Sequence, residues 1–278
     1  MVLGNMSKIF FGPDLAFKNI SGLNGDCHSL PERSGSRPII SLTRAAIVDI
    51  YTSHFGMDAV TYERSFSVIA ILDYKAGNLT SVQRALQHLG FPSRITDSHE
   101  VIREAERVIF PGVGAAGKSM ENLKALGLDE VLGERLEAGI PVLGICVGLQ
   151  VLFNYSEEND TACLGILPGK TKLFPGKMRS EQGDALKVPH MGWNEVAFVK
   201  DHPVFRNIPR GSEFYFVHSY YPAPDSPQHV AGETGYGITF ASAVARDNLV
   251  AVQFHPEKSG PPGLQLLRNF CGWDGSPA

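Results

Sequence analysis

The chain has 278 residues, 43% of them hydrophobic, enough for one large domain or two small ones with a substantial core. Its formal net charge of −4 supplies no broad basic field and counts against general nucleic-acid binding, and its longest apolar stretch, IPVLGICVGLQVLF, is too short and glycine-rich to cross a bilayer. Cys27, Cys146, Cys163 and Cys271 make neither a CxxC pair nor a zinc pattern, so we expect no metal or other cofactor and a reducing, cytoplasmic setting.

Residues 1–66 have no sustained period. NISGLNGDCHSLPERSGSRP reads as loop or disorder, and IISLTRAAIVDIYTSHF fits helix and strand equally. KIFF is too short for a secretory core, and Asp26, Glu32 and Asp49 count against a transit peptide. We read residues 1–66 as an N-terminal extension, poorly ordered or upstream of the true start, with a docking segment as the other reading. Residues 67–278 are read as one domain, for which Met57 or Val68 offers an alternative beginning.

From Val68 the pattern becomes regular. VIAILD is a continuous apolar run, as in a strand buried on both faces. LTSVQRALQHLG places Leu79, Val82, Leu86 and Leu89 on one side of a helix that Gly90 ends. PSRIT and RVIF read as a second and third strand, Lys118 to Ala138 as one helix, PVLGI as a fourth strand and LQVLFNY as the first turns of a further helix. This alternation predicts a mostly parallel sheet flanked by helices, with ligands at the carboxyl ends of its strands. After Pro168 come β-rich segments, NEVAFV, EFYFVHSYY, HVAGET, ITFASAVA and LVAVQF, and then a helix with prolines in its first turn, PPGLQLLRNFCGW.

Three short elements carry chemistry. In GICVGLQ, Cys146 stands between Gly144 and Gly148 where a strand meets a helix. Small neighbours permit a sharp turn that exposes a nucleophile, and the N–H of Val147 is placed to receive an oxyanion. In AVQFHPEKS, His255 follows an apolar strand and Glu257 lies two residues on, on the same face if extended. A cysteine nucleophile needs such a base and an orienting group. FPGVG, at Phe110 to Gly114, ends the strand before that of Cys146 and can aim N–H groups at the same point. Alone, each element has an ordinary reading: a buried cysteine beside packing glycines, a surface turn and a connector.

Together these motifs resemble the class I glutamine amidotransferases. More narrowly, LDYKAGNL, FPGVGAAGKSM, GICVGLQVLFNYSEE, VPHMGWN, YFVHSYY and FHPEKS stand in the order found in the glutaminase subunits of imidazole glycerol phosphate synthases. The resemblance runs from about Val68 to the C-terminus. It implies a flavodoxin-like α/β fold with added antiparallel strands in the C-terminal half, and glutamine hydrolysis through a cysteine thioester. It further implies Cys146 as nucleophile, His255 as general base and acid, Glu257 as its orienting carboxylate, and Val113 and Val147 as oxyanion N–H donors. Gly114, Gln150, Glu158, Ser219 and Tyr220 fall where the family holds L-glutamine, and Asn78, Trp193 and Lys258 where it faces a partner. The implied partner is a separate (β/α)8-barrel cyclase subunit, since such a barrel alone takes about 250 residues. Nucleic acid and membrane are not expected partners. His218 lies near the site in the family and is assigned no chemistry.

Lys75 departs from the family pattern, standing where many relatives have glycine, as do Val147, where leucine is commoner, and residues 1–66. Three rival readings are a glutaminase of pyridoxal phosphate synthesis, a non-enzymatic binding subunit on the same fold and a free-standing cysteine hydrolase. PHMGWN and FHPEKS argue against the first, and the presence of Cys146, His255 and Glu257 against the second. The third predicts strong activity without a partner.

Overall fold

The computed structural model describes residues 68–180 and 182–277. Our reading of residues 1–66 lies outside the described residues. In chain order the structure forms β1 (Ile69–Leu72), α1 (Leu79–His88), β2 (Ser93–Thr96), α2 (His99–Glu104), β3 (Arg107–Gly112), α3 (Ala116–Ala125), α4 (Leu128–Glu137), β4 (Val142–Cys146) and α5 (Val147–Gln150). There follow β5 (Phe153–Ser156), β6 (Thr161–Ala162), β7 (Leu167–Leu173), β8 (His190–Glu195), β9 (Ala197–Phe198), β10 (Glu213–His218) and β11 (Tyr220–Pro224). The chain closes with β12 (Val230–Gly235), β13 (Thr239–Arg246), β14 (Leu249–Val252) and α6 (Gly260–Gly272).

The main sheet has eight strands in the order β2-β1-β3-β4-β14-β13-β12-β9. Its first five are parallel, in the 2-1-3-4-5 order of flavodoxin-like sheets, and its last three add antiparallel pairing. Every residue of β1 (IAIL), β4 (VLGIC) and β14 (LVAV) is buried, which is why these strands read as unbroken apolar runs. Each such Val, Leu or Ile contributes about 1.5–3 kcal/mol of hydrophobic stabilisation. A four-stranded sheet, β11-β7-β5-β6, and a two-stranded β10-β8 pair complete the fold. α1 buries Leu79, Val82, Ala85 and Leu86, the face that its spacing predicts.

The structure corrects four readings. The stretch from Lys118 to Ala138 is two helices, α3 and α4. Leu126 closes α3, Gly127 turns left-handed at φ 63°, and its N–H bonds the Lys124 carbonyl. The helix after Cys146 is a single turn. Beyond it the N–H of Leu164 and Leu167 take the carbonyls of Val151 and Leu152, and the aromatic-rich FNYS becomes β5. α2 was not expected, although Ser98 caps it by accepting from the Val101 N–H at 3.4 Å. β7 was not among the expected strands, and its Pro168 and Gly169 are residue types that ordinarily weaken a strand. There Gly169 sits at φ 129° against the backbone of Ala223 and Pro224, too close for any side chain.

Candidate active site

Cys146 is the last residue of β4 and the cap of the one-turn helix α5, with φ 56° and ψ −113°. A non-glycine residue held there costs roughly 1–3 kcal/mol, so its surroundings must enforce it. They do so by close packing. A side chain on Gly148 would strike the Phe110 carbonyl, and one on Gly144 would come within 2.8 Å of the Ala251 Cβ. Gly112 pairs in register with Cys146, and a side chain on it would strike the Tyr74 hydroxyl. The FPGVG loop therefore lies beside the cysteine, as strand adjacency predicts. Gly114 in that loop adopts φ 99°. Val113 lies one residue beyond the Gly112–Cys146 pair, and Val147 opens α5.

β14, the strand paired to β4, leads into His255. The His255 backbone is clamped: its N–H donates to the Tyr215 carbonyl at 2.9 Å, and its own carbonyl accepts from the Ser259 hydroxyl at 2.6 Å. Its Nδ1 meets Glu257 Oε1 at 2.8 Å, with 1% and 0% of the two side chains exposed. The ring Nε2 is buried and makes no aligned hydrogen bond. Burial works against the charged ring, but Cys146 and Glu257 outweigh it and hold the His255 pKa well above the ordinary imidazole value.

Asn78, expected to face the partner, is half-buried. Its Nδ2 donates to the same Glu257 Oε1 at 2.5 Å. It sits at the N-cap position of α1 with φ 73°, and its side chain leaves its own helix uncapped to make this bond. Asn78, Glu257 and His255 thus form one hydrogen-bonded chain. The residues expected around glutamine are placed unevenly. Glu158 Oε2 accepts from the Ala116 N–H at 2.7 Å, which pins its carboxylate to the end of the FPGVGAA loop. Gln150 is buried, and its Nε2 donates to the Tyr220 carbonyl and to Gln253 Oε1, each at 3.0 Å. The Ser219 carbonyl accepts from the Phe174 N–H, and the Tyr220 carbonyl also meets His218 Nδ1 at 2.8 Å.

Trp193 is not core. It is 54% exposed on β8, next but one to Met191 at 62%, and opposite Tyr215 on β10. Lys258 Nζ lies 5.9 Å from the centre of the Tyr215 ring. These groups form one exposed apolar and cationic face beside the turn that carries Glu257. Lys75 occupies the left-handed region at φ 64°, with its N–H on Asp73 Oδ1 at 3.0 Å, which explains why glycine suits that position.

Two features escaped the sequence reading. Gln253 is fully buried and reaches the Cys146 sulfur, and His190 and His218 are buried in contact at 2.9 Å. A glutamine ending an apolar strand was a signal for the first. The second had none, because residues 190 and 218 meet only through the β8–β10 register.

The chain matches the family described as Glutamine amidotransferase class-I over residues 70–272. It is 54% identical over 203 residues to the imidazole glycerol phosphate synthase subunit HisH of Maridesulfovibrio salexigens, covering 73% of this chain and 95% of that protein. It is 50% identical over 209 residues to the subunit of the same name from Pseudomonas putida, covering 74% and 98%. Among solved structures, PurLQS from Thermotoga maritima superposes with a TM-score of 0.55 at 15% identity, over 74% of this chain and 97% of that one, which is a likeness of fold. The chain belongs to the class I glutamine amidotransferases and, among them, to the family of imidazole glycerol phosphate synthase HisH subunits.

Proposed function

We propose that the chain hydrolyses L-glutamine to glutamate and ammonia, and passes the ammonia to a (β/α)8-barrel cyclase subunit. That partner would make imidazole glycerol phosphate and aminoimidazole carboxamide ribotide in histidine biosynthesis. The observation that carries the reading is Cys146 in a strained turn, with the buried His255–Glu257 pair beside it.

In this mechanism the Cys146 thiolate attacks the glutamine carboxamide carbon. The N–H groups of Val113 and Val147 receive the negative oxygen. His255 gives a proton to the departing ammonia and leaves an acyl thioester on Cys146. It then takes a proton from water, which attacks the thioester and releases glutamate. Glu257 and Asn78 orient the imidazole and stabilise its cation. Glu158 suits the substrate α-ammonium group, and Gly114 leaves room beside it. Gln150 has both amide hydrogens committed, so only its Oε1 remains for glutamine. Ser219 and Tyr220 likewise have engaged carbonyls, so they would act through N–H groups or side chains.

The exposed Trp193, Met191 and Lys258 face supports docking of the cyclase next to the Asn78–Glu257–His255 chain. Partner-dependent activity is supported by the burial of Cys146, only 4% exposed. Cys146, Cys163 and Cys271 are free thiols. Among the described residues no helix is long and apolar enough to cross a membrane.

The test is glutamate release by the purified chain, alone and with a cyclase subunit plus its nucleotide ligand, beside Cys146→Ala. Activity that needs the liganded partner and is lost in the variant is expected. Strong activity without the partner would overturn the dependence, and activity in Cys146→Ala would overturn the mechanism.

A further inference from the structure

β14 runs parallel to β4 with Val252 opposite Ile145, so the next residue, Gln253, comes level with Cys146. Its backbone N–H donates to the Ser242 carbonyl at 2.8 Å, and its side chain has no exposure to solvent. Which end of this amide faces the sulfur follows from its neighbours. The Tyr220 carbonyl can only accept, so Gln150 must turn its nitrogen toward it, at 3.0 Å. That same nitrogen faces the Gln253 side chain at 3.0 Å, so Gln253 must present its oxygen there. Its nitrogen is then left pointing at Cys146 Sγ, at 3.6 Å. The backbone carbonyl of Gln150 accepts from the Thr171 hydroxyl at 3.1 Å, which holds the main chain of this residue. The relay from Tyr220 to the sulfur thus runs in one direction only.

We infer that Gln253 is a further catalytic residue, whose amide N–H holds the Cys146 sulfur at the elbow and stabilises it as an anion. The inference rests on Cys146 being the nucleophile. A buried amide N–H that found no acceptor would be unfavourable, and a sulfur carrying negative charge is a better acceptor than a neutral thiol. The donor therefore favours the reactive form of the cysteine. It also ties that form to Tyr220, on the segment expected to hold glutamine.

The experiment compares wild type with Gln253→Glu and Gln253→Met. Gln253→Glu keeps the oxygen that accepts from Gln150 and replaces the N–H donor with a carboxyl group. Gln253→Met fills the space with neither function. The rate of iodoacetamide alkylation at Cys146 is followed against pH by peptide mass mapping, which separates it from the other cysteines. The pH midpoint is expected to rise by about one unit in Gln253→Met and further in Gln253→Glu. In the complex with the cyclase, kcat is expected to fall about tenfold with little change in KM for glutamine. A midpoint and kcat equal to wild type in either folded variant would overturn the inference. Should both variants unfold, the wild-type protein decides: the Gln253 side-chain 15N–H resonances must move as the Cys146 thiol titrates, and fixed resonances would overturn it. Alkylation reports on the thiol without turnover, so these outcomes are distinct from retained glutamate release in Cys146→Ala, which would fail the functional reading itself.

Discussion

Two regions of this protein bury histidine almost equally and treat it in opposite ways. His255, 1% exposed, stands beside Glu257 and Cys146, and its cationic form is favoured. His218 and His190, 5% and 3% exposed, have no carboxylate against them among the described residues, and burial lowers them to about 3 and about 4. In His218 the Tyr220 carbonyl opposes burial, while His190 and His255 add to it. The hydrogen bonds of this pair form a self-consistent neutral chain. His218 Nδ1 donates to the Tyr220 carbonyl, His218 Nε2 accepts from His190 Nδ1, and His190 Nε2 accepts from Asn194 Nδ2 at 3.2 Å. A proton added to either ring would set two N–H groups against each other or against the Asn194 amide. Burial alone thus leaves a histidine neutral, and the buried anion beside His255 is what favours its cation.

The comparison breaks most sharply if the first region is converted toward the second. Glu257→Gln removes the anion and keeps the shape, and glutamate release in the complex is expected to fall by about 10³-fold or more. The acid limb of stability tests the second region. The folded values of His190 and His218 lie below the unfolded value of 6.5, so their contribution is full above that pH and is lost as pH falls toward about 4 and about 3. Each ring should add a slope of about 1.4 kcal/mol per pH unit in that window, and denaturant melts of His218→Asn should show a flatter one. A smaller effect is expected from Asn78→Ala, which leaves Glu257 with one partner fewer. Glutamate release should drop about tenfold, with the thermal midpoint moving little. The smallest concerns the loop that presents Asn78. Lys75→Gly relieves a left-handed residue and should raise stability by up to about 1 kcal/mol in urea melts without changing the histidine behaviour.

The parallel half of the fold was legible because each buried strand is a contiguous apolar run and each amphipathic helix carries its own period. The failures fell where a local signal was brief. Gly127 is the only marked interruption between two helix-forming stretches, and a lone glycine is tolerated within a helical pattern, so α3 and α4 read as one. In β7, LPGKTKL alternates buried and exposed up to Thr171, but a proline and a glycine, both poor strand formers, interrupt its apolar character in the sequence. The site divides in the same way. Cys146, His255 and Glu257 announce themselves through spacing within nine residues or fewer, whereas Asn78 reaches Glu257 across 179 positions.

By itself, the sequence determined which residues can do chemistry here: a thiol between glycines, an imidazole and a carboxylate two positions apart, and the strand ends that carry them. Those choices are local, because backbone sterics and side-chain period act over a few residues. Tertiary structure alone decided how these groups are charged and supported. Register brought Gln253 level with Cys146, and paired His190 with His218 across β8 and β10. The protonation of each histidine then followed from which neighbours share its buried space, a property of packing that no single segment carries.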